Sequence, residues 1–326
     1  MNDSNNWNPG ASLHALQQRA RILQSVRAFF AQRDVLEVET PILSDAAITD
    51  PQLESMRTQF AGRDYFLHTS PEFYMKRLLA AGSGDIYQIA RVFRADETGR
   101  YHNPEFSLLE WYRLGLDHQA LMDEMQQLIN ELFAQFSDRP LSFSRLSYRE
   151  AFINQLGIDP LQASAEELAV CASKQQIEPP IGMNLNDKDM WLDWLMVAAV
   201  APAFDQQGMT FIYDYPASQA ALARLSNDDP RVAHRFELFY GELELANGFY
   251  ELLDSNEQLA RFQKENDLRK QRGQHTMPID MQLIAALRSG LPDCAGVAMG
   301  LDRLLMVLTG ASSISEVISF TTPAGR

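Results

Sequence analysis

The chain is poor in cysteine. It has only two, Cys171 and Cys294, far apart and in no Cys-x-x-Cys pair. That excludes a disulfide framework, and with no histidines at zinc-ligand spacing a structural metal site is not expected. Dense runs of Lys or Arg are absent as well. The 28 Lys and Arg face 43 Asp and Glu, for a formal net charge of −15, so the basic footprint of a general polyanion binder is missing. No Gly-rich phosphate loop of either common type occurs, and any nucleotide must be held another way. Internal repeats and low-complexity tracts are lacking. The first ten residues are polar and Asn-rich, without the apolar core of a signal segment, and read as a loose tail. The longest apolar stretch, Met190–Phe204, contains Asp193 and falls short of the roughly 20 residues that span a bilayer. It reads as a buried helix, and a cytoplasmic protein is expected.

What is present is an ordinary globular composition: 326 residues, 46% hydrophobic and 22% charged. A chain of this size buries about three-quarters of its unfolded surface. The acidic excess suits a cationic small molecule or the lysine side chain of a partner.

Apolar residues at three- and four-residue steps from Leu13 to Phe30 predict an amphipathic helix. Val35–Glu39 alternates as a strand, stopped at Thr40-Pro41, and Ile42 to Phe60 reads as irregular. Tyr65–Thr69 reads as a strand and Pro71–Ala81 as a helix ending at Gly82. Strands are expected at Asp85–Phe93 and Leu108–Arg113, joined by a long charged loop of the kind that is often functional. A helix follows over His118–Phe136, then a mostly helical insert at about 137–208. Strands are predicted at Thr210–Tyr215, Arg235–Tyr240 and Leu243–Asn247, helices at Glu257–Gln271 and Asp280–Arg288, and a Gly296–Gly300 strand running into a helix at Leu301–Leu308. The irregular mixture favours an α+β fold with a largely antiparallel sheet flanked by helices.

Three segments carry chemistry. In the first, Arg94, Arg100 and His102 bring cationic or donor groups to one loop, with Phe106 offering an aromatic face. Arginine grips phosphate with a two-pronged, always-charged fork; the same spacing also fits a solvated loop of local ion pairs. In the second, a turn at Gly241 can bring Glu237 and Glu244 together, with Glu242 on the Glu244 face and Glu251 beyond. Paired carboxylates can hold Mg²⁺; an exposed acidic strand face is the alternative. In the third, Gly296-Val-Ala-Met-Gly-Leu-Asp-Arg303 alternates small and apolar residues, which marks close approach by a ligand or tight strand–helix packing. Asp302 there suits a helix N-terminus, and Arg303 a nucleotide.

Together the three resemble the signature motifs of class II aminoacyl-tRNA synthetases. Arg27–Pro41 resembles the first, which builds the dimer interface in that class, Phe93-Arg94 to Glu110 the second, and Gly296–Arg303 the third. Thr69-Ser-Pro-Glu-Phe-Tyr-Met-Lys-Arg77, Arg100-Tyr-His-Asn-Pro-Glu-Phe106 and Glu244-Leu-Ala-Asn-Gly-Phe-Tyr-Glu251 are similar to lysyl-tRNA synthetases, and the likeness runs from about residue 11 to 320. Three departures matter. The catalytic motifs begin at once, leaving no room for an anticodon-binding domain. Ala298 stands where those synthetases typically have Gly, and Tyr215-Pro-Ala-Ser-Gln-Ala220 leaves their pattern. These features resemble the free-standing elongation factor P–lysine ligase family. Asp96 in place of the usual Glu of Phe-Arg-x-Glu puts that residue's role in doubt.

The resemblance implies an ATP-dependent, AMP-forming ligase. It activates (R)-β-lysine as an aminoacyl-adenylate and transfers it to a lysine side chain of elongation factor P, as a homodimer and without tRNA or membrane. Carried over residue by residue, Arg94 and Arg303 are catalytic: Arg94 binds the α-phosphate and substrate carboxylate, while Phe106 and Arg303 cover the two faces of adenine. Asp96, Asn103, Glu244, Leu245 and Gly300 line the nucleotide, and Glu237 and Glu244 hold Mg²⁺. Ser70, Pro71, Glu72, Tyr112, Glu251 and Ala298 form the lysine pocket, where two carboxylates match two amino groups. A truncated lysyl-tRNA synthetase, a catalytically dead regulatory subunit and an ammonia-dependent asparagine synthetase are the competing implications. Tyr112 and Glu251 suit an amine rather than the aspartate of the last.

Overall fold

The computed structural model describes residues 7–95, 97–137 and 139–322. The chain divides into two compact units: Met1–Leu116 with Asp123–Asp138 and Leu253–Arg326, and Asp117–Met122 with Arg139–Leu252.

The first unit opens with α1 (Leu13–Ala31), whose Ser12 side chain caps the helix by accepting from the Ala15 N–H. Its apolar stripe, Ile22, Val26, Phe29 and Phe30, is buried as the periodicity requires. β1 (Leu36–Glu37) is shorter than its alternating sequence predicts and runs parallel to β5 (Ile86–Phe93). β5 pairs antiparallel with β6 (Glu105–Leu114), and β6 with β11 (Cys294–Gly300). The stretch 42–60 is not wholly irregular. β2 (Leu43–Ser44) and β3 (Arg57–Phe60) flank β4 (Arg63–Leu67) in a small antiparallel sheet. Both strands are too short and polar for period-two patterning to reveal. α2 (Glu72–Ala80) ends at Gly82, whose φ of +88° only glycine adopts at little cost. α7 (Ser255–Gln271), α8 (Met281–Gly290) and α9 (Leu301–Thr309) complete this unit.

Strand alternation gives the main sheet of this unit two different faces. Tyr87 and Trp111 point to the side where Phe30 of α1 stacks on Tyr87 and meets Trp111 edge-on, at ring separations of 4.4 and 5.5 Å. Phe106, Leu108, Glu110 and Tyr112 of β6 point to the other. Across the ladder Ala298 lies opposite Glu110, Gly300 opposite Leu108 and Gly296 opposite Tyr112. The small residues of β11 therefore keep this second face open beside the polar side chains of β6.

The second unit includes the first turn of α3 (His118–Phe136). Its sheet has β7 (Phe143–Ser147) parallel to β8 (Met209–Pro216), followed by antiparallel β9 (Val232–Tyr240) and β10 (Leu243–Tyr250). β7 lies within the stretch read as mostly helical. The other regular elements of that stretch are helical: α4 (Tyr148–Leu156), α5 (Ala165–Lys174) and α6 (Lys188–Leu195), then two short helical turns. Capping boxes at Ser147/Glu150 and Ser164/Glu167 start α4 and α5. The apolar run that begins in α6 continues through a π turn, Met196–Val200, and a 3₁₀ turn containing Pro202. These elements share a core of Tyr148, Phe152, Trp191, Leu195, Ile212, Tyr215 and Phe239. Among the described residues no helix is long and apolar enough to cross a membrane.

Candidate active site

On the open face of the first unit, Glu110 is the centre of a polar cluster. It is buried, and its two carboxylate oxygens accept separate bonds: Ser70 Oγ donates to Oε2 and the Tyr112 hydroxyl to Oε1, each at 2.7 Å. Ser70 also accepts from the Glu72 N–H at 3.0 Å, which ties the start of α2 to the cluster. Ala298, opposite Glu110 in the register, is half-buried and packs with Phe106 on Ala90, Val92 and Leu108. Ser70, Tyr112 and Ala298 are thus brought together around Glu110. Glu110 was not among the expected site residues. Its signal is an acid inside an otherwise apolar strand, Ser-Leu-Leu-Glu-Trp-Tyr; a carboxylate buried there needs partners.

Pro71 is the residue from which α2 springs. Glu72 is half-buried and accepts an ion pair from the buried Lys76 Nζ, one turn on, at 2.6 Å. The pair cancels much of the charge that Glu72 was expected to offer an amine.

Beyond β5, the Arg94 N–H donates to Pro104 O, extending the ladder into the loop. The Arg94 guanidinium lies over the Phe106 ring at 5.1 Å and reaches Glu97 at 2.8 Å. Its Nε is buried and meets no acceptor among the described residues, a donor that a phosphate or carboxylate oxygen would satisfy. Arg303, in the first turn of α9, bonds His102 Nε2 at 2.6 Å. Asn103 is buried; its amide donates to Glu105 O at 2.6 Å, and its carbonyl accepts from the Thr322 N–H at 3.0 Å. Arg100 donates to Ser312 O at 2.7 Å. Gly300 is the N-cap of α9. Asp302 does not cap this helix. It is buried and accepts from Arg19 and from the Ser107 N–H, locking α9 to β6. Asp96 lies outside the described residues.

In the second unit, Gly241 and Glu242 form the two-residue turn between β9 and β10, with Gly241 at φ +53°. A bulge at Leu245 shifts the register, so Glu244 opposes Phe239 and Asn247 opposes Glu237. Glu237 and Glu244 therefore share a face on a diagonal, as the turn suggested, while Glu242 stays in the turn. Leu245 is buried and Glu244 exposed. Glu237 accepts from the Tyr215 hydroxyl at 2.6 Å and from the Arg235 guanidinium. Arg235 also donates to Asn247 Oδ1 and Gln219 O. Burial works against its positive charge, but Glu237 foremost, with Tyr215 and Glu244, outweighs burial and raises its pKa. Burial and the neighbouring Glu237 push the Tyr215 phenol well above its ordinary range, so it remains a donor. Glu251 is fully buried just past β10, bridged through its backbone to Ala223, and its carbonyl accepts from Arg224 Nε at 2.9 Å.

This fold is that of a class II synthetase domain. Residues 9–323 match the family described as tRNA synthetases class II (D, K and N), and the chain belongs to that family. It is 49% identical to the elongation factor P–(R)-β-lysine ligase of Vibrio cholerae, over 98% of this chain and 99% of that protein. It is 47% identical to the ligase of the same name from Yersinia enterocolitica over the full length of both, and 49% identical to that of Pseudoalteromonas translucida over 97% and 98%.

Proposed function

We propose that the protein is an ATP-dependent elongation factor P–(R)-β-lysine ligase. It forms a β-lysyl-adenylate and transfers the β-lysyl group to a lysine side chain of elongation factor P. The observation that carries this reading is similarity at 47–49% identity over essentially whole chains to ligases of that name.

The chain's own groups fit the first step. Arg94 takes the α-phosphate and the substrate carboxylate, using its fork and the buried Nε; Phe106 presents a ring to adenine, with Arg303, Asn103 and Gly300 around the nucleotide. Adenylation then needs positioning and charge neutralisation rather than a covalent enzyme intermediate. Ser70, Glu110, Tyr112 and Ala298 take the diamine.

Glu237 and Glu244 suit a magnesium ion bound with the nucleotide. They share a face, and together they exceed the charge of Arg235 beside them. Each carboxylate oxygen has two lone pairs, so Glu237 can keep its protein bonds and still ligate. The ion would neutralise phosphate charge, with water and phosphate oxygens as its remaining ligands.

The second step needs a neutral acceptor. A free lysine amine has a pKa of about 10.4, so roughly 1 in 2,500 is neutral at pH 7. Desolvation at the docking surface lowers that pKa and supplies the nucleophile. We further infer a cytoplasmic homodimer. Leu36, Ile42 and Leu43, in and beside the first motif, are exposed apolar residues of the kind that mark an interface.

A label-transfer assay tests the reading. The protein is mixed with ATP, Mg²⁺, labelled β-lysine or α-lysine, elongation factor P and total tRNA. Label on elongation factor P, strongest with β-lysine, is expected. Label on tRNA would make the chain a tRNA synthetase, and no label together with no pyrophosphate exchange would make it a regulatory subunit.

A further inference from the structure

His118, Asp214 and His234 belong to three different elements of the second unit: the first turn of α3, β8 and β9. They converge so that one ligand-type atom of each lies within 4.8 Å of the others. Asp214 Oδ1 is 3.5 Å from His118 Nε2 and 3.5 Å from His234 Nδ1. None of the three takes part in the chemistry assigned above, and their wide spacing in sequence hides them from motif reading.

Three further observations single out this cluster. Asp214 stands at a bulge in β8 with φ +58°, a left-handed conformation uncommon for a residue with a side chain. Such outliers persist where the surroundings hold them, often at functional sites. The His118 side chain is only 8% exposed. His118 Nδ1, Asp214 Oδ1 and His234 Nδ1 are buried and have no hydrogen-bond partner among the described residues, although buried polar groups almost always find one.

We propose that His118, Asp214 and His234 form a binding site for a divalent transition-metal ion of the zinc class. Two imidazoles and one carboxylate are a ligand set that zinc and its neighbours accept. Magnesium and calcium prefer oxygen alone. At bond lengths of about 2.0–2.2 Å, tetrahedral ligands stand roughly 3.4 Å apart, close to the two measured separations. The imidazole rings stack at 4.5 Å with their planes 23° apart. Ion binding turns them until both lone pairs converge beside Asp214, and water completes the coordination. No electron transfer is involved, and any proton displaced from an imidazole passes to solvent.

A bound ion would cross-link the β8 bulge, β9 and the start of α3. Tyr250 lies beside both histidines, stacked on His118 at 6.4 Å and tilted against His234 at 6.0 Å, and Arg224 lies over Tyr250 at 3.5 Å while donating to the Glu251 carbonyl. The ion therefore stiffens the end of β10. The proposal stands independently of the ligase reading.

The test is Zn²⁺ titration of the full chain by calorimetry, with Co²⁺ as a spectroscopic probe and thermal unfolding alongside. One ion per chain is expected, with visible Co²⁺ bands of nitrogen and oxygen ligation and a raised unfolding midpoint. Asp214→Asn and His234→Gln should each weaken binding by about a hundredfold or more, since even losses around a metal's ligands cost 10–100-fold. Asp214→Gly adopts the left-handed backbone without strain, so it should fold at least as well as the parent without metal and still lose binding. Absence of saturable one-to-one binding overturns the proposal, as does an affinity that these three variants leave unchanged.

Discussion

The Ser70 hydroxyl donates to Glu110 Oε2 across 2.7 Å, joining the start of α2 to the middle of β6. Tyr112 holds the other oxygen. Glu110 is thus both a partner of two expected pocket residues and a buried carboxyl group beside Ala298. Replacing it with Gln turns one acceptor into a donor facing a hydroxyl. Leaving a buried polar group unsatisfied costs about 1–3 kcal/mol, so Glu110→Gln should lower kcat/KM for β-lysine in pyrophosphate exchange about tenfold or more. An unchanged value would show that the cluster serves the fold alone.

Arg94 offers a fork that lysine cannot reproduce. Loss of one preorganised charge-stabilising donor typically costs about 10²–10³ in rate. Arg94→Lys and Arg303→Ala should each reduce adenylate formation on that scale while leaving the thermal midpoint nearly unchanged. Exchange activity at the parental level in either variant would remove that residue from catalysis.

Ala298 lies opposite Glu110 on the open face. The resemblance to lysyl-tRNA synthetases sets its methyl against a glycine. A group of this size discriminates by about 1–3 kcal/mol, and Ala298→Gly should raise the ratio of α-lysine to β-lysine kcat/KM correspondingly. A constant ratio assigns the preference elsewhere.

Glu265 on α7 is largely buried, and desolvation raises its pKa from 4.5 to about 7 against the hydrogen bond from Thr49 and the charges of Arg261 and Arg269. The neutral form is the one the folded state favours. The stability linked to it is full below the unfolded pKa near 4.5 and is lost as pH rises through about 7. Glu265→Gln stays neutral. Its unfolding midpoint should match the parent near pH 4 and exceed it increasingly toward about pH 8, which thermal unfolding across that range will measure. A difference independent of pH would show that the carboxyl titrates normally.

Arg269 is fully buried and spends its N–H groups on the carbonyls of Thr49, Asp50, Leu53 and His275 and on Glu54. The Glu54 carbonyl in turn accepts from the Ala95 N–H, next to Arg94. Removing one partner from a buried charged network costs about 3–5 kcal/mol. Arg269→Ala should lose stability on that scale in urea, with Arg269→Lys recovering part of it. Equal stability of all three chains would contradict the assigned network.

Much of this protein is determined by the sequence alone. The amphipathic stripe of α1, the stop of α2 at Gly82 and the alternation of β5 and β6 depend on neighbours a few residues away, and periodicity reports them directly. So does the class of chemistry, because Arg94, Phe106, Glu244 and Arg303 stand in motifs that also identify the family. Tertiary structure decided the rest. β2, β3 and β7 exist because partner strands complete their hydrogen bonds. The bulge at Leu245 sets which face Glu244 shares, and a strand register is a relation between two chain segments. The pairing of Glu72 with Lys76 and of Glu237 with Arg235, the role of Glu110, and the meeting of His118, Asp214 and His234 belong to the same category. Each depends on the balance between desolvating a charge and finding it a partner, and that balance is settled only when residues distant in sequence are packed within a few ångströms.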